Sequence, residues 1–95
     1  MLINRKFNSG DVVSIKLING DEIIARYENE TNDEVTINRP LALTLAKGSL
    51  GMIPWMFLSN TEEYTLKKSH FFVMVSTKPD AAKQYMQGTT GIALG

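Results

Sequence analysis

The chain has no cysteine, which excludes a disulfide framework, thiol catalysis and a thiolate metal site. It has one histidine, His70, and no serine set in a nucleophile motif, so hydrolytic chemistry lacks its usual base and nucleophile. The carboxylates do not substitute. Asp21-Glu22 and Glu62-Glu63 are adjacent in sequence, and adjacent side chains on a strand or turn diverge rather than share a proton. The expectation is therefore a protein that is not an enzyme and uses no cofactor or metal. Net charge is also absent: ten basic and ten acidic residues cancel, which argues against coating nucleic acid by bulk charge. No uninterrupted apolar run approaches the ~20 residues of a membrane span. The start, MLINRKFNSG, brings Arg5 and Lys6 early with no long apolar stretch behind them, unlike a signal peptide. These absences leave a soluble, cytoplasmic domain with no membrane partner as the expectation. At 95 residues it is a single domain (1–95) that hides roughly two-thirds of its unfolded surface, so self-association would add usefully to a modest core.

What the sequence does have is strand signal. "VVSIKLINGDEIIARYEN", residues 12–29, is two alternating runs around Asn19-Gly20, a strong hairpin signal. A two-residue loop would pair Leu17 with Glu22 and mix the faces. A three-residue loop, Asn19-Gly20-Asp21, pairs Leu17 with Ile23, Ile15 with Ala25 and Val13 with Tyr27, which gathers one apolar face. "EVTINRPLALTLA" reads as a long strand with Val35, Ile37, Leu41, Leu43 and Leu45 on one face. Pro40 must bend it, bulge it or place it on an edge. "LGMIPWMFLS" reads as a further strand, "NTEE" as a bend, "YTLKK" as resumed extended structure and "HFFVMVS" as the final strand. The fold class is mainly β: five short strands with turn signals between them point to a small barrel or sandwich. A short C-terminal helix follows over about 78–88, with Pro79 and Asp80 at its start and Gly88 at its stop. Ala82, Tyr85 and Met86 share its inner face. The tail, 89–95, is expected to fray, with Ile92 and Leu94 available to a partner.

The stretch "GDVVSIKLINGDEIIARY" and the strand order resemble the first motif of the Sm-like family, the Hfq-like proteins among them. There a Gly opens strand one and an Asn-Gly turn leads into a sharply bent second strand, where Ala25 takes the place of a small residue, often Gly. "PWMFLS", then an apolar strand, a proline and a Tyr-bearing helix, look like the small Sm-like proteins of tailed phages, which would place the chain in the cytoplasm of a host cell. The resemblance implies a five-stranded, strongly bent antiparallel sheet (a small barrel) over about 10–76, whose edge strands pair between subunits in a homo-oligomeric ring of five to seven. It also implies single-stranded RNA bound by loops near the pore. The match is incomplete at those loops. "NETNDEV" puts Thr31 near the family's Asp and lacks its Met-Asn pair. "LKKSHF" places Lys67 on the basic position, and Lys68 replaces a Gly.

Carried over by position, the RNA-binding candidates are Lys67, Lys68, Ser69 and His70, with Asn29 and Asn32 able to read a base edge. The subunit-interface candidates are Trp55, Phe71, Phe72, Val73 and Met74. Each has a plainer reading. Lys67–His70 also reads as a solvated turn with a lone histidine. Tyr27 reads as core in the register above, and Trp55 as core or interface. Glu28, Glu30, Asp33 and Glu34 repel phosphate, and Asn29, Glu30, Asn32 and Asp33 lack the spacing and the Gly of a calcium loop. The alternative function is therefore an assembly or adaptor ring that does not bind RNA.

Overall fold

Residues 2–3 and 6–89 are described in the computed structural model of the chain. The expected tail contacts of Ile92 and Leu94 lie outside the described residues. Within them the order is β1 (Leu2–Ile3), β2 (Val12–Leu17), β3 (Glu22–Glu30), β4 (Glu34–Ala46), β5 (Ser49–Pro54), β6 (Glu63–Lys67), a 3-10 turn (Lys68–His70), β7 (Phe71–Ser76) and α1 (Pro79–Thr89). β2 to β7 form one antiparallel sheet, and the two-residue β1 adds to it in parallel alongside β7. The path runs β1-β7-β2-β3-β4-β5, with β6 also on β4. The sheet does not close into a barrel. The strand count differs from the expected five because β5 stops at Pro54 and β6 restarts at Glu63, both along one side of β4. "WMFLS" is not strand but the loop between them.

Three bulges set this shape. The first lies on β4, where Arg39 and Pro40 together face the single residue Ala25: Ile24 pairs with Leu41, yet Arg26 pairs with Asn38. Pro40 has no N–H to give a ladder, and Arg39 takes the left-handed region at φ 51. The extra residue reverses the inward side. Val35 and Ile37 are buried before it; after it Pro40 is buried and Ala42 packs on the core, while Leu45 stands out in solvent. The expectation of Leu41, Leu43 and Leu45 on the Val35 face is corrected for this reason. A second bulge falls on β3 at Glu28, between the pairs Tyr27–Ile37 and Asn29–Thr36. The third is Phe72 on β7, which is skipped between the pairs Leu17–Phe71 and Lys16–Val73.

The β2–β3 hairpin keeps the expected face with its register moved by two residues. Ile15 pairs with Ile23 and Val13 with Ala25, and the Leu17 N–H donates to the Asp21 carbonyl at 2.8 Å. The three-residue loop is thus Ile18-Asn19-Gly20. Gly20, at φ 98, takes the last loop position, where a three-residue hairpin needs the left-handed region. That requirement outweighed the pairing expected from side-chain pattern alone. Asn19 Oδ1 accepts the Asp21 N–H at 2.9 Å and secures the turn.

The core lies on one face of the curled sheet: Phe7, Val13, Ile15, Leu17, Ile23, Ala25, Tyr27, Val35, Ile37, Phe71 and Met74, with Ala42, Trp55, Tyr64 and Leu66 packed against it. Strand alternation sends Ile24 and Arg26 to the opposite face, where Arg26 meets α1: its guanidinium lies 6.0 Å from the centre of the Tyr85 ring, and Nη2 donates to Thr89 Oγ1 at 3.0 Å. Tyr85 is fully buried, and its hydroxyl donates to the carbonyls of Arg39 (2.7 Å) and Asn38 (3.1 Å). The helix runs one residue past Gly88, and the Thr89 carbonyl at its end accepts from Arg39 Nη1. A cation there complements the helix dipole. Arg39 Nε also pairs with Glu62 Oε1 at 2.7 Å, so the β4 bulge, the β5–β6 loop and the helix end meet at one side chain. No helix of the described residues is long and apolar enough to cross a membrane.

Candidate functional site

The short β3–β4 loop and the 3-10 turn after β6 meet at one end of the sheet. Thr31 shapes the loop: its N–H donates to the Glu34 carbonyl at 2.8 Å, and its Oγ1 accepts the N–H groups of Asp33 and Glu34. The Lys68 N–H donates to the Asp33 carbonyl at 2.8 Å, which fastens the turn to the loop. Between them is an open cleft of about 510 Å³, lined by Thr31, Asn32, Asp33, Glu34, Lys67, Lys68 and Ser69. Four of the expected RNA-contacting residues therefore come together: Asn32, Lys67, Lys68 and Ser69. Two do not line it. Asn29 is exposed further back on β3, and His70 is exposed at the end of the turn, where its carbonyl accepts the Ile18 N–H at 3.1 Å.

Lys68 does not offer its charge freely to this cleft. Its Nζ lies 2.6 Å from Glu30 Oε2, with the side chains 13% and 26% exposed. Glu30 Oε1 accepts the Tyr27 hydroxyl at 2.8 Å. Burial works to raise the Glu30 carboxyl, but hydrogen bonds from Lys68 and Tyr27 and the Lys68 charge outweigh it and hold the group below the usual carboxylate range. Burial, then the Glu30 hydrogen bond and charge, push the Tyr27 phenol up to about 12. A charge-assisted chain Tyr27–Glu30–Lys68 thus links β3 to the turn before β7. Sequence reading missed the role of Glu30. Tyr27 and Glu30, three apart, would point to opposite faces of a regular strand; the bulge at Glu28 brings them together, and nothing in the spacing announces that bulge. On the other side of the chain Tyr27–Glu30–Lys68 a second opening of about 790 Å³ is lined by Lys6, Phe7, Asn8, Tyr27, Glu30, Thr31, Asn32 and Lys68. The Phe7 and Tyr27 rings beneath it lie 5.5 Å apart.

Of the expected interface residues, Phe71 and Met74 are buried in the chain's own core and Phe72 is 59% exposed. Val73 is half-buried on β7. Trp55 packs on the core with its ring 5.8 Å from Tyr64, edge to face. Phe71 and Met74, three apart, both point inward because Phe72 is the bulged residue between the two registers. Among the described residues no three His, Cys, Asp or Glu side chains gather as a metal site. Chemically the cleft can donate from Lys67, Ser69 and the Asn32 amide, and Asp33 and Glu34 stand beside those donors. No family model and no curated protein matches the chain.

Proposed function

We propose that the chain is a non-catalytic, Sm-like subunit that joins copies of itself in a ring of five to seven. The outer side of β5–β6 pairs with the β7 side of the next copy. The observation that carries this reading is the open sheet: among the described residues β5 and β6 pair with β4 alone, and β7 carries on its outer side the two residues of β1 and no other strand. Unpaired strand edges invite pairing with another chain, and a ring satisfies both edges at once. Leu50 and Ile53, exposed along β5, gain cover in the same step. Sedimentation velocity tests it. The wild-type protein is expected at five to seven times the 10.6 kDa of one chain, and Phe72→Asp or Val73→Asp at the mass of one chain. An unchanged mass in both variants would sink edge pairing.

A second reading, single-stranded RNA binding, rests on the meeting of Asn32, Lys67 and Ser69 in one cleft, which a ring would repeat around its pore. Anisotropy of short labelled U-rich and A-rich RNAs across a salt series decides it. Lys67→Ala is expected to flatten the log-log salt dependence by about 0.7. Lys68→Ala should do less, since Glu30 already balances that charge. No binding at low salt leaves the ring as an adaptor, a reading that Asp33 and Glu34 on the rim favour.

A further inference from the structure

We infer that β1 is a strap across the β7 edge, which it guards in the single chain and gives up when the next copy pairs there; this rests on the ring reading above. β1 and the next copy claim the same backbone groups. Leu2 pairs with Val73 and Ile3 with Met74 on the outer side of β7. The other side is taken by β2, from the pair Leu17–Phe71 to the pair Val13–Ser76. A strand has two hydrogen-bonding edges and no third, so a neighbour cannot pair along β7 while β1 holds its centre.

The strap is short and its hold is weak. It covers two of the six residues of β7. It does so in parallel, the less stable ladder per residue, in a sheet whose other pairs among the described residues are antiparallel. β5 of a neighbour, Ser49–Pro54, brings six residues to the same edge, and with them more backbone hydrogen bonds. β5 itself has no such guard: among the described residues it pairs with β4 alone. One edge is covered and the other open. A light cover excludes casual pairing, the hazard of a bare strand, yet yields to a partner of matching length.

The chain is built so that β1 can leave without the core following. Behind it Phe7 holds the chain down, 8% exposed in the core cluster with its ring 5.5 Å from that of Tyr27. The Asp11 N–H donates to the Asn8 carbonyl and the Asn8 N–H to Asp11 Oδ2, both at 2.9 Å. Gly10, at φ 95, donates its N–H to the Tyr27 carbonyl at 2.7 Å, a conformation that suits glycine. Residues 7–11 thus anchor the arm to β3, and three residues separate Ile3 from Phe7. A strap tethered this closely returns to β7 whenever the edge is free. The apparent affinity between copies is then the intrinsic one multiplied by the fraction of chains whose edge is free.

Stapling the strap shut tests this in the full chain. With no native cysteine, Leu2→Cys with Val73→Cys introduces two thiols at one cross-strand pair. Neighbouring strands lie about 4.8 Å apart, within the span of a disulfide. Reduced, this variant is expected to sediment as the ring. Oxidised within one chain at low concentration, it is expected to stay at 10.6 kDa when concentrated, and to assemble again on reduction. Leu2→Pro with Ile3→Pro removes both N–H groups of β1 and should assemble at a concentration about fivefold lower than the wild type needs. A stapled chain that still forms rings would overturn the strap and leave the ring standing. So would a folded chain in which the two thiols fail to join, or a folded proline variant that needs as much protein as the wild type. If circular dichroism shows the proline variant unfolded, the stapled chain decides alone. Wild type and proline variant both remaining single chains would overturn the ring and the strap together.

Discussion

Phe71→Ala is expected to lower folding stability by about 3–5 kcal/mol, the usual range for emptying a buried aromatic site, while Phe72→Ala changes the isolated chain by no more than about 0.5 kcal/mol. Phe71 is 1% exposed, inside the cluster with Ile15, Leu17, Met74 and Ile37; its neighbour is the residue that the bulge turns out of the sheet. Against a total of about 5–15 kcal/mol for a domain, the first loss is large. At about 4–8 °C per kcal/mol for a chain of this size, it should lower Tm by more than about 12 °C. Denaturant unfolding at two protein concentrations separates the two residues. The Phe71→Ala loss should appear at both concentrations, because it belongs to the single chain. Phe72→Ala should instead weaken association. If the two substitutions exchanged effects, β7 would be one residue out of register, which would send each side chain to the other face.

The same bulges explain how much of the fold was legible. Periodicity found the hairpin, the long strand, the final strand and the helix, because each carries its own pattern over several residues. The hairpin face came out right even with the register two residues off, since a shift of two preserves the inward side. Pattern failed where one residue was inserted. Pro40 signalled a break in β4, and a break is there, but its consequence for Leu41 and beyond depends on whether one or two residues face Ala25. That is decided by Arg39 at φ 51, by its bonds to Glu62 and the helix end, and by Tyr85 beneath it. These partners are distant in sequence.

The candidate site was legible as a pair of loops and not as a balance of charge. Lys67, Lys68, Ser69 and Asn32 were named from position, and they do share a cleft. A string of letters shows two lysines there. The structure shows one, because Glu30 takes the other at 2.6 Å. The apolar triplet at 56–58 was read as strand because its composition is strand-like. Yet Pro54 ends β5, the Trp55 N–H goes to Pro40, and the following residues leave the sheet. Composition alone does not show that Met56, Phe57 and Leu58 leave the sheet and stand in solvent.

Tyr85→Ala should have the second large effect, about 3–5 kcal/mol, because one fully buried side chain both fills its site and supplies the donor to two carbonyls. The rest of α1 holds to the sheet at its end, through Arg26 and Arg39 to Thr89. Without the Tyr85 ring, the Arg39 and Asn38 carbonyls lose their donor at the very bulge that reverses β4. The helix and the bulge are thus expected to loosen together, read as faster amide exchange at both Arg26 and Leu41. Loosening of the helix alone would show that the bulge stands without it. Tyr85→Phe keeps the ring and removes the hydroxyl, for a loss of about 1–2 kcal/mol. The two variants also differ from the wild type in alkali. Burial pushes the Tyr85 phenol from its ordinary value of 10.0 up to about 12, and the nearby Arg26 and Arg39 charges only partly offset it. The folded state therefore holds this proton more tightly than the unfolded state. The resulting stability is fully present below pH 10 and is lost as pH rises through about 12. Tyr27, also pushed up to about 12, acts in the same direction and is unchanged in both variants. Tyr85→Phe should therefore lose less stability between pH 10 and 12 than the wild type does. An identical alkaline profile would mean that the hydroxyl is not sealed against the β4 carbonyls, and the helix would then be held by the Tyr85 ring and by the bonds of Arg26 and Arg39 to Thr89.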